Sequence, residues 1–310
     1  LAMPGRLVTW KDACQLCPHA CGVSRGKGER GVCRAPSEIW MSNALVHRGE
    51  EPAVSGTRGS GTIFFSHCTG RCVFCQNHQI SQGEQGASVT PGALAETMLG
   101  LEQQRCHNVN LVSPTPHLGN IVPALEEARS RGLSVPAVYN TGGYEAADVI
   151  RELGARIQVY LPDLKYGDDA AAERYSGLDG YWGAATAAIE EMARQAGPLR
   201  LDDDGILQQG VLVRHLVLPG GLSGSRRCLE WLSRLGPEIG LSLMSQYHPC
   251  YQASRHPPLD RRLTLAEYQP LVDLASEIDF ALLYAQGLSS PGDFLPDFDR
   301  EKPFESGNPG

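Results

Sequence analysis

The sequence predicts an α/β fold, a partial or full (β/α) TIM-like barrel behind a small N-terminal metal-binding module rich in cysteine, and three observations predict it. From residue 60 onward, short and almost wholly apolar runs alternate with amphipathic segments. That texture belongs to parallel strands buried on both faces and covered by helices. Seven of the ten cysteines (Cys14, Cys17, Cys21, Cys33, Cys68, Cys72 and Cys75) fall within the first 75 residues at short spacings. Residues 8–55 are rich in cysteine and glycine and lack periodicity, which suits a module folded around a metal. At 310 residues the chain can bury a full core, and barrels of this size fold as one domain. The expected division is a module over 8–55, a barrel over 56–288 and a flexible tail over 289–310.

Strands are expected at 62–66, 109–113, 135–140, 157–163, 211–218, 241–247 and 280–286. Between them, Thr90 and Pro91 supply an N-cap and first-turn proline for a helix whose stripe is Leu94, Met98 and Leu101. Ile121, Leu125 and Ala128 form a second stripe, stopped at Gly132. Residues 198–209 read as a polar loop that interrupts the rhythm. Thr264 and Glu267 form a capping box, with Pro270 expected to distort the early turns of the helix that follows. From Ser289 onward, Pro, Gly, Asp and Glu dominate, the composition of a loose tail.

A net charge of -8 with scattered Lys and Arg argues against nucleic acid as a partner. The first seven residues lack the apolar region of a secretion signal, and no apolar run is long enough to span a bilayer. A cytoplasmic protein without a membrane partner is expected. In that compartment clustered cysteines bind metal in preference to forming disulfides.

The strand at 62–66 runs directly into Cys68, Cys72 and Cys75, spaced x3 and x2. Tetrahedral zinc would need a fourth ligand, for which His67 and His78 are near in sequence. A [4Fe-4S] cube on three thiolates would instead leave one iron open to an exogenous ligand. With Phe74 just before the last cysteine, this loop resembles the motif of the radical S-adenosylmethionine (SAM) enzymes. Further blocks, CVFCQNHQIS, YNTGGY, YLPDLKY, VRHLVLPG and MSQYHP, resemble the pyruvate formate-lyase activating enzyme-related family over roughly residues 12–288. The resemblance implies a radical SAM barrel and an oxygen-sensitive, oxidoreductase-like enzyme whose cluster, on Cys68, Cys72 and Cys75, cleaves SAM reductively. The product would be a 5'-deoxyadenosyl radical that abstracts hydrogen from a protein, peptide or small molecule. It also implies a low-potential electron donor, a flavodoxin or ferredoxin. Methyl or aminocarboxypropyl transfer from SAM, or a zinc scaffold without SAM chemistry, are the alternatives.

Asp163 and Lys165 lie two apart at a strand end and so leave one face. They resemble the Asp-x-Lys pair that contacts SAM in the activating enzymes, or else form an ordinary ion pair. His248 resembles a histidine that touches SAM, and Phe74 is placed beside the cofactor by the same likeness. Asn140 heads a polar turn with Thr141 and Gly142, and is preferred over Arg214 and His215, of which only one can face inward. The resemblance breaks after the second strand, where Ser113-Pro114-Thr115 replaces a Gly-Gly-Glu motif. Ser113 and Thr115 offer hydroxyls there but no carboxylate.

Cys14, Cys17, Cys21 and Cys33 supply four thiolates, enough for a tetrahedral zinc or a second iron-sulfur cluster, with His19 as a substitute ligand. A structural metal is the favoured reading. Cys106, Cys228 and Cys250 have no partner spacing and read as core thiols.

Overall fold

The structure is a computed structural model that describes residues 5–288, 296–300 and 303–304. Its strands are β1 (Ile39–His47), β2 (Ser60–Phe65), β3 (Ala87–Val89), β4 (Val109–Val112), β5 (Ala137–Thr141), β6 (Val159–Pro162), β7 (Arg200–Leu201), β8 (Leu207–Leu216), β9 (Gly240–Met244) and β10 (Leu282–Ala285). The helices are α1 (Arg6–Thr9), α2 (Pro52–Ser55), α3 (His78–Ser81), α4 (Pro91–Gln103), α5 (Leu118–Ser130), α6 (Ala147–Leu153), α7 (Asp169–Ser176), α8 (Tyr181–Ala196), α9 (Ser225–Leu232) and α10 (Leu265–Ser276).

One sheet runs in the order β10-β9-β8-β6-β5-β4-β2-β1-β3, with β7 paired to β8. Every pairing from β2 across to β10 is parallel, and these seven strands are the seven apolar runs. β2, β4, β5, β6 and β9 are buried at every residue, as strands covered on both faces must be. The sheet does not close. Among the described residues β10 pairs only with β9, and the outer edge of β2 is taken by antiparallel β1, which in turn carries antiparallel β3. An edge strand already satisfied by a hairpin has no free N–H and C=O groups for β10, so the full barrel is excluded and an open, mixed sheet is found.

β1 also divides the segment 8–55: its first part packs a small core of Trp10, Cys14 and Leu16, whereas residues 39–47 belong to the main sheet. That small core is fastened to the rest by Glu152, whose carboxylate accepts the Arg6 and Leu7 N–H groups at 2.8 and 2.9 Å, and by Trp10. The indole lies where a Cβ on Gly119 would sit 1.9 Å from its Nε1.

The helical signals operate as read. Thr90 Oγ1 accepts the Ala93 N–H at 3.2 Å, and Leu94, Met98, Leu101, Ile121, Leu125 and Ala128 are all buried. The Thr264–Glu267 capping box is closed, but α10 runs unbroken through Pro270, which removes one ladder bond without ending the helix. The loop at 198–209 is instead a hairpin of β7 and β8, because Asp202 Oδ1 accepts the Asp204 and Ile206 N–H groups and turns the chain. Of the expected tail, 289–295, 301–302 and 305–310 lie outside the described residues. The described part is not loose: Phe298 is buried against Phe64 with ring centroids 5.4 Å apart, and Phe304 lies 4.2 Å from His47. No helix of the described residues is long and apolar enough to cross a membrane.

Candidate active site

The loop that follows β2 carries Cys68, Cys72 and Cys75 at the C-terminal end of a parallel strand, the end at which sheets of this kind present reactive groups. All three thiols are free. Cys68 Sγ accepts the Gly70 N–H at 3.4 Å, Cys72 Sγ accepts the Ser176 hydroxyl at 2.9 Å, and Cys75 Sγ lies 3.3 Å from Ser81 Oγ. Burial, reinforced by Cys72, pushes the Cys68 thiol up to about 11 and the Cys75 thiol up to about 12. Ionising Cys68 and Cys75 here therefore calls for positive charge close by, which a metal ion or an iron-sulfur cluster would supply.

The histidines proposed to complete a zinc site are engaged elsewhere. The His67 ring packs between Trp40 and His117, and burial lowers it to about 4. His78 Nδ1 meets the Cys75 carbonyl at 3.2 Å while its ring stacks on Tyr251. Among the described residues, no three His, Cys, Asp or Glu side chains converge on a single-ion site.

Opposite the cysteines, the ends of β5, β6 and β8 build a charged floor. Arg214 Nε donates to Asp163 Oδ1 at 2.8 Å, its Nη2 to Asn140 Oδ1 at 2.6 Å, and its Nη1 reaches Glu50 Oε2 at 3.4 Å. The second Asp163 oxygen is paired with Lys165 Nζ. Burial acts to raise the Asp163 carboxyl, but Arg214 and Lys165 outweigh it and hold the group below its ordinary value. Asp163 and Lys165 thus do share one face, as their spacing requires. The Lys165 ammonium in turn lies close enough to Cys68 and Cys72 to interact with both. Its backbone is pinned by Tyr181, whose hydroxyl accepts the Lys165 N–H at 2.7 Å and donates to the Asp163 carbonyl at 2.9 Å. The YNTGGY turn permits this approach because Gly143, at φ +81, has no Cβ; one would stand 2.1 Å from the Asp163 carbonyl oxygen.

Two adjoining cavities of about 140 Å³ each open on this floor. The first is lined by Gln76 and Asn77, immediately after Cys75, with Glu50, Asn140 and Arg214, and is walled by Phe64 and the C-terminal Pro296 and Phe304. The second extends toward Glu51, Ser242 and Gln286. Neither cavity is lined by the cysteines themselves, but the first reaches their loop through Gln76 and Asn77, whereas a larger space of about 510 Å³ between α9 and α10 touches neither that loop nor Arg214.

The other residues expected from the sequence lie around this floor as follows. Thr115 does not face the cysteine triplet's cavities: its hydroxyl donates to Glu145 Oε1 at 2.6 Å, and it lines the N-terminal cysteine cavity. Ser113 takes a left-handed φ of +56, which turns the chain after β4 and sends Thr115 away. Phe74 has its ring in the core, edge-on to Tyr247 at 5.8 Å. His248 is half-exposed, 3.1 Å from Arg262, and lines neither cavity. His215 points away, bonded to the Leu164 carbonyl and Ser225, so Arg214 is the inward member of the pair. Cys106 and Cys228 are buried, whereas Cys250 is only half-buried and donates to the Phe74 carbonyl at 3.2 Å. Glu50 and Glu51 were not foreseen; adjacent carboxylates just before a short proline-led helix were the available signal.

Cys14, Cys17, Cys21 and Cys33 all line one narrow cavity, together with Arg25, Thr69 and Thr115. Gly31 makes room for the set: a Cβ there would stand 2.4 Å from Cys21 Sγ. Arg25 Nη2 donates to Cys33 Sγ at 3.2 Å, and His19, which lines the same cavity, meets the Thr69 carbonyl at 2.9 Å through Nε2. Thr69 adjoins Cys68, so the two cysteine sets meet back to back.

The sequence model of the radical SAM superfamily matches residues 62–198. Uncharacterized protein MJ0674 of Methanocaldococcus jannaschii is 31% identical over 281 residues, which cover 87% of this chain and 76% of that protein. The solved structure of Streptococcus suis SuiB bound to precursor peptide SuiA aligns at a TM-score of 0.45 and 11% identity, over 71% of this chain and 46% of that one. The chain thus spans less than half of SuiB.

Proposed function

Residues 62–198 are a radical SAM superfamily domain, and from that premise we propose an enzyme related to the glycyl-radical-enzyme activases, in which Cys68, Cys72 and Cys75 hold a site-differentiated [4Fe-4S] cluster. The observation that carries this reading is the loop of Cys68, Cys72 and Cys75 at the C-terminal end of β2, inside the stretch that matches the superfamily, with the Asp163–Lys165 pair following β6 in the same parallel sheet. When bound and reduced, such a cluster supplies one electron to SAM, giving methionine and a 5'-deoxyadenosyl radical that takes a hydrogen atom from substrate to become 5'-deoxyadenosine.

The residues of the chain do the rest. Lys165 offers its charge to the SAM carboxylate, a charge-assisted contact in a site where few waters compete. Asp163 positions that ammonium, since both its oxygens are already committed to Lys165 and Arg214. Asn140, fixed by Arg214, shapes the wall on the β5 side. Phe64, Val112, Pro296 and Phe304 give the first cavity an apolar wall, and fewer waters beside the floor would strengthen its charge contacts. We propose Cys14, Cys17, Cys21 and Cys33, which line one cavity without converging on a single-ion site, as ligands of a structural zinc or second iron-sulfur centre that would draw them together on binding, and a flavodoxin or ferredoxin as electron donor.

Anaerobic reconstitution, with iron, sulfide and zinc counted and products separated after addition of SAM and reductant, tests the reading. Release of 5'-deoxyadenosine, lost in Cys72→Ala together with the triplet's iron, is the expected result. Zinc without iron overturns the cluster; 5'-methylthioadenosine or S-adenosylhomocysteine in place of 5'-deoxyadenosine overturns hydrogen abstraction.

A further inference from the structure

The second cavity is an acidic recess with Glu50 and Glu51 in its wall. Arg214 is the one cation among the described residues that line either cavity, and it is already divided among Asp163, Asn140 and Glu50. Glu51 Oε2 is buried in the recess wall with no hydrogen-bond partner among the described residues. Beside it, Asn110 is fully buried and donates to Glu50 Oε1 at 3.1 Å, while its own Oδ1 also lacks a partner. Both orphan atoms are acceptors, and a buried acceptor left unmade is costly. Ser242, Gln246, Tyr284 and Gln286 add neutral polar groups to the lining.

Charge gives the same answer. Glu50, Glu51 and Asp163 face Arg214 and Lys165, three carboxylates against two cations, and burial raises both glutamates although Arg214 acts to lower them. One more positive group in the recess would balance the charge of the carboxylates that line it. The recess lies on the far side of Arg214 from the cysteine loop, whereas the first cavity, next to Gln76 and Asn77, adjoins it.

We propose that the Glu50–Glu51 recess binds a protonated primary amine or guanidinium carried by the substrate, seating the substrate across Arg214 from the cluster. This deepens the radical SAM reading and rests on it for the word substrate. At about 140 Å³ the recess has room for only a few heavy atoms, the head of a lysine- or arginine-like chain.

The test uses the full chain, anaerobically purified, with n-butylammonium and ethylguanidinium as probes and n-butanol as the uncharged control, followed by saturation-transfer NMR and calorimetry. Both cations are expected to bind at least about tenfold tighter than butanol, and Glu51→Gln to weaken them by a similar factor. Gln286→Glu, which adds a carboxylate to the rim, should tighten them and covers the case in which Glu51→Gln fails to fold. Equal binding of butanol and butylammonium, or cation binding indifferent to both variants, overturns the proposal. So does displacement of SAM by butylammonium from the reconstituted protein, which would assign the recess to the ammonium of SAM itself. None of these readouts needs radical chemistry, so failure to cleave SAM and failure to bind amines are separate results.

Discussion

Replacing Arg214 with methionine keeps much of the side-chain volume and removes the charge that joins Asp163, Asn140 and Glu50. The side chains of Arg214, Asp163 and Glu50 are only 16%, 17% and 11% exposed, so solvent cannot take over the lost role. Removing one partner of a buried pair leaves the other charged and unpaired, at a cost of about 3–5 kcal/mol. At 2–4 °C per kcal/mol for a large domain, that is a fall in melting temperature of about 6–20 °C. The penalty should depend on pH. Without Arg214, burial dominates at Glu50, and Asp163 keeps only Lys165, so both folded-state carboxyls titrate higher. A carboxyl raised on folding contributes stability below its unfolded value, near pH 4, and loses it as pH rises through the folded value. The deficit of Arg214→Met relative to the parent should therefore be small near pH 4.5 and full near pH 7.5. Urea titrations at both values, on preparations of matched iron content, measure it. A deficit below about 1 kcal/mol at both would mean that Arg214 behaves as a solvated surface ion pair, and the buried floor would be refuted.

Three more results are expected. Glu145, raised to about 7 by burial and bonded by Thr115, Thr141 and Tyr139, should make the parent lose stability relative to Glu145→Gln as pH rises from about 4 to 7, by up to about 3 kcal/mol; parallel melting curves across that range would contradict it. Gly31→Ala should displace Cys21 and lower the metal content of the four-cysteine set while leaving the iron of the triplet in place, read by elemental analysis of the variant beside a Cys72→Ala, Gly31→Ala double. Phe298→Ala should unseat the C-terminal segment from Phe64, seen as faster hydrogen exchange at the Phe298 N–H, which donates to Gln79 Oε1 at 2.9 Å, with little change in β5 and β6.

The strands were legible to the degree that both their faces are buried. β2, β4, β5, β6 and β9 announce themselves as continuous apolar runs because no face is left to alternate. β1 was overlooked because its residues are half-buried along nearly the whole strand, so it carries neither a continuous run nor a clean period of two. β7, only two residues long, depends on the Asp202 turn more than on its own composition.

Spacing within the sequence was enough to bring three thiols onto one loop and Asp163 with Lys165 onto one face, because loop length and the two-residue period of a strand are local properties. What those groups meet was decided by the tertiary structure. Arg214 reaches Glu50 across 164 positions of chain, and a charge balance assembled from so far apart has no local trace. The turn at Ser113 sends Thr115 to Glu145, and the open sheet leaves β1 to deliver two acidic side chains beneath β8 and β9. Local chemistry thus chose the reactive atoms, and long-range packing chose their neighbours, because burial and charge are settled only where distant segments meet.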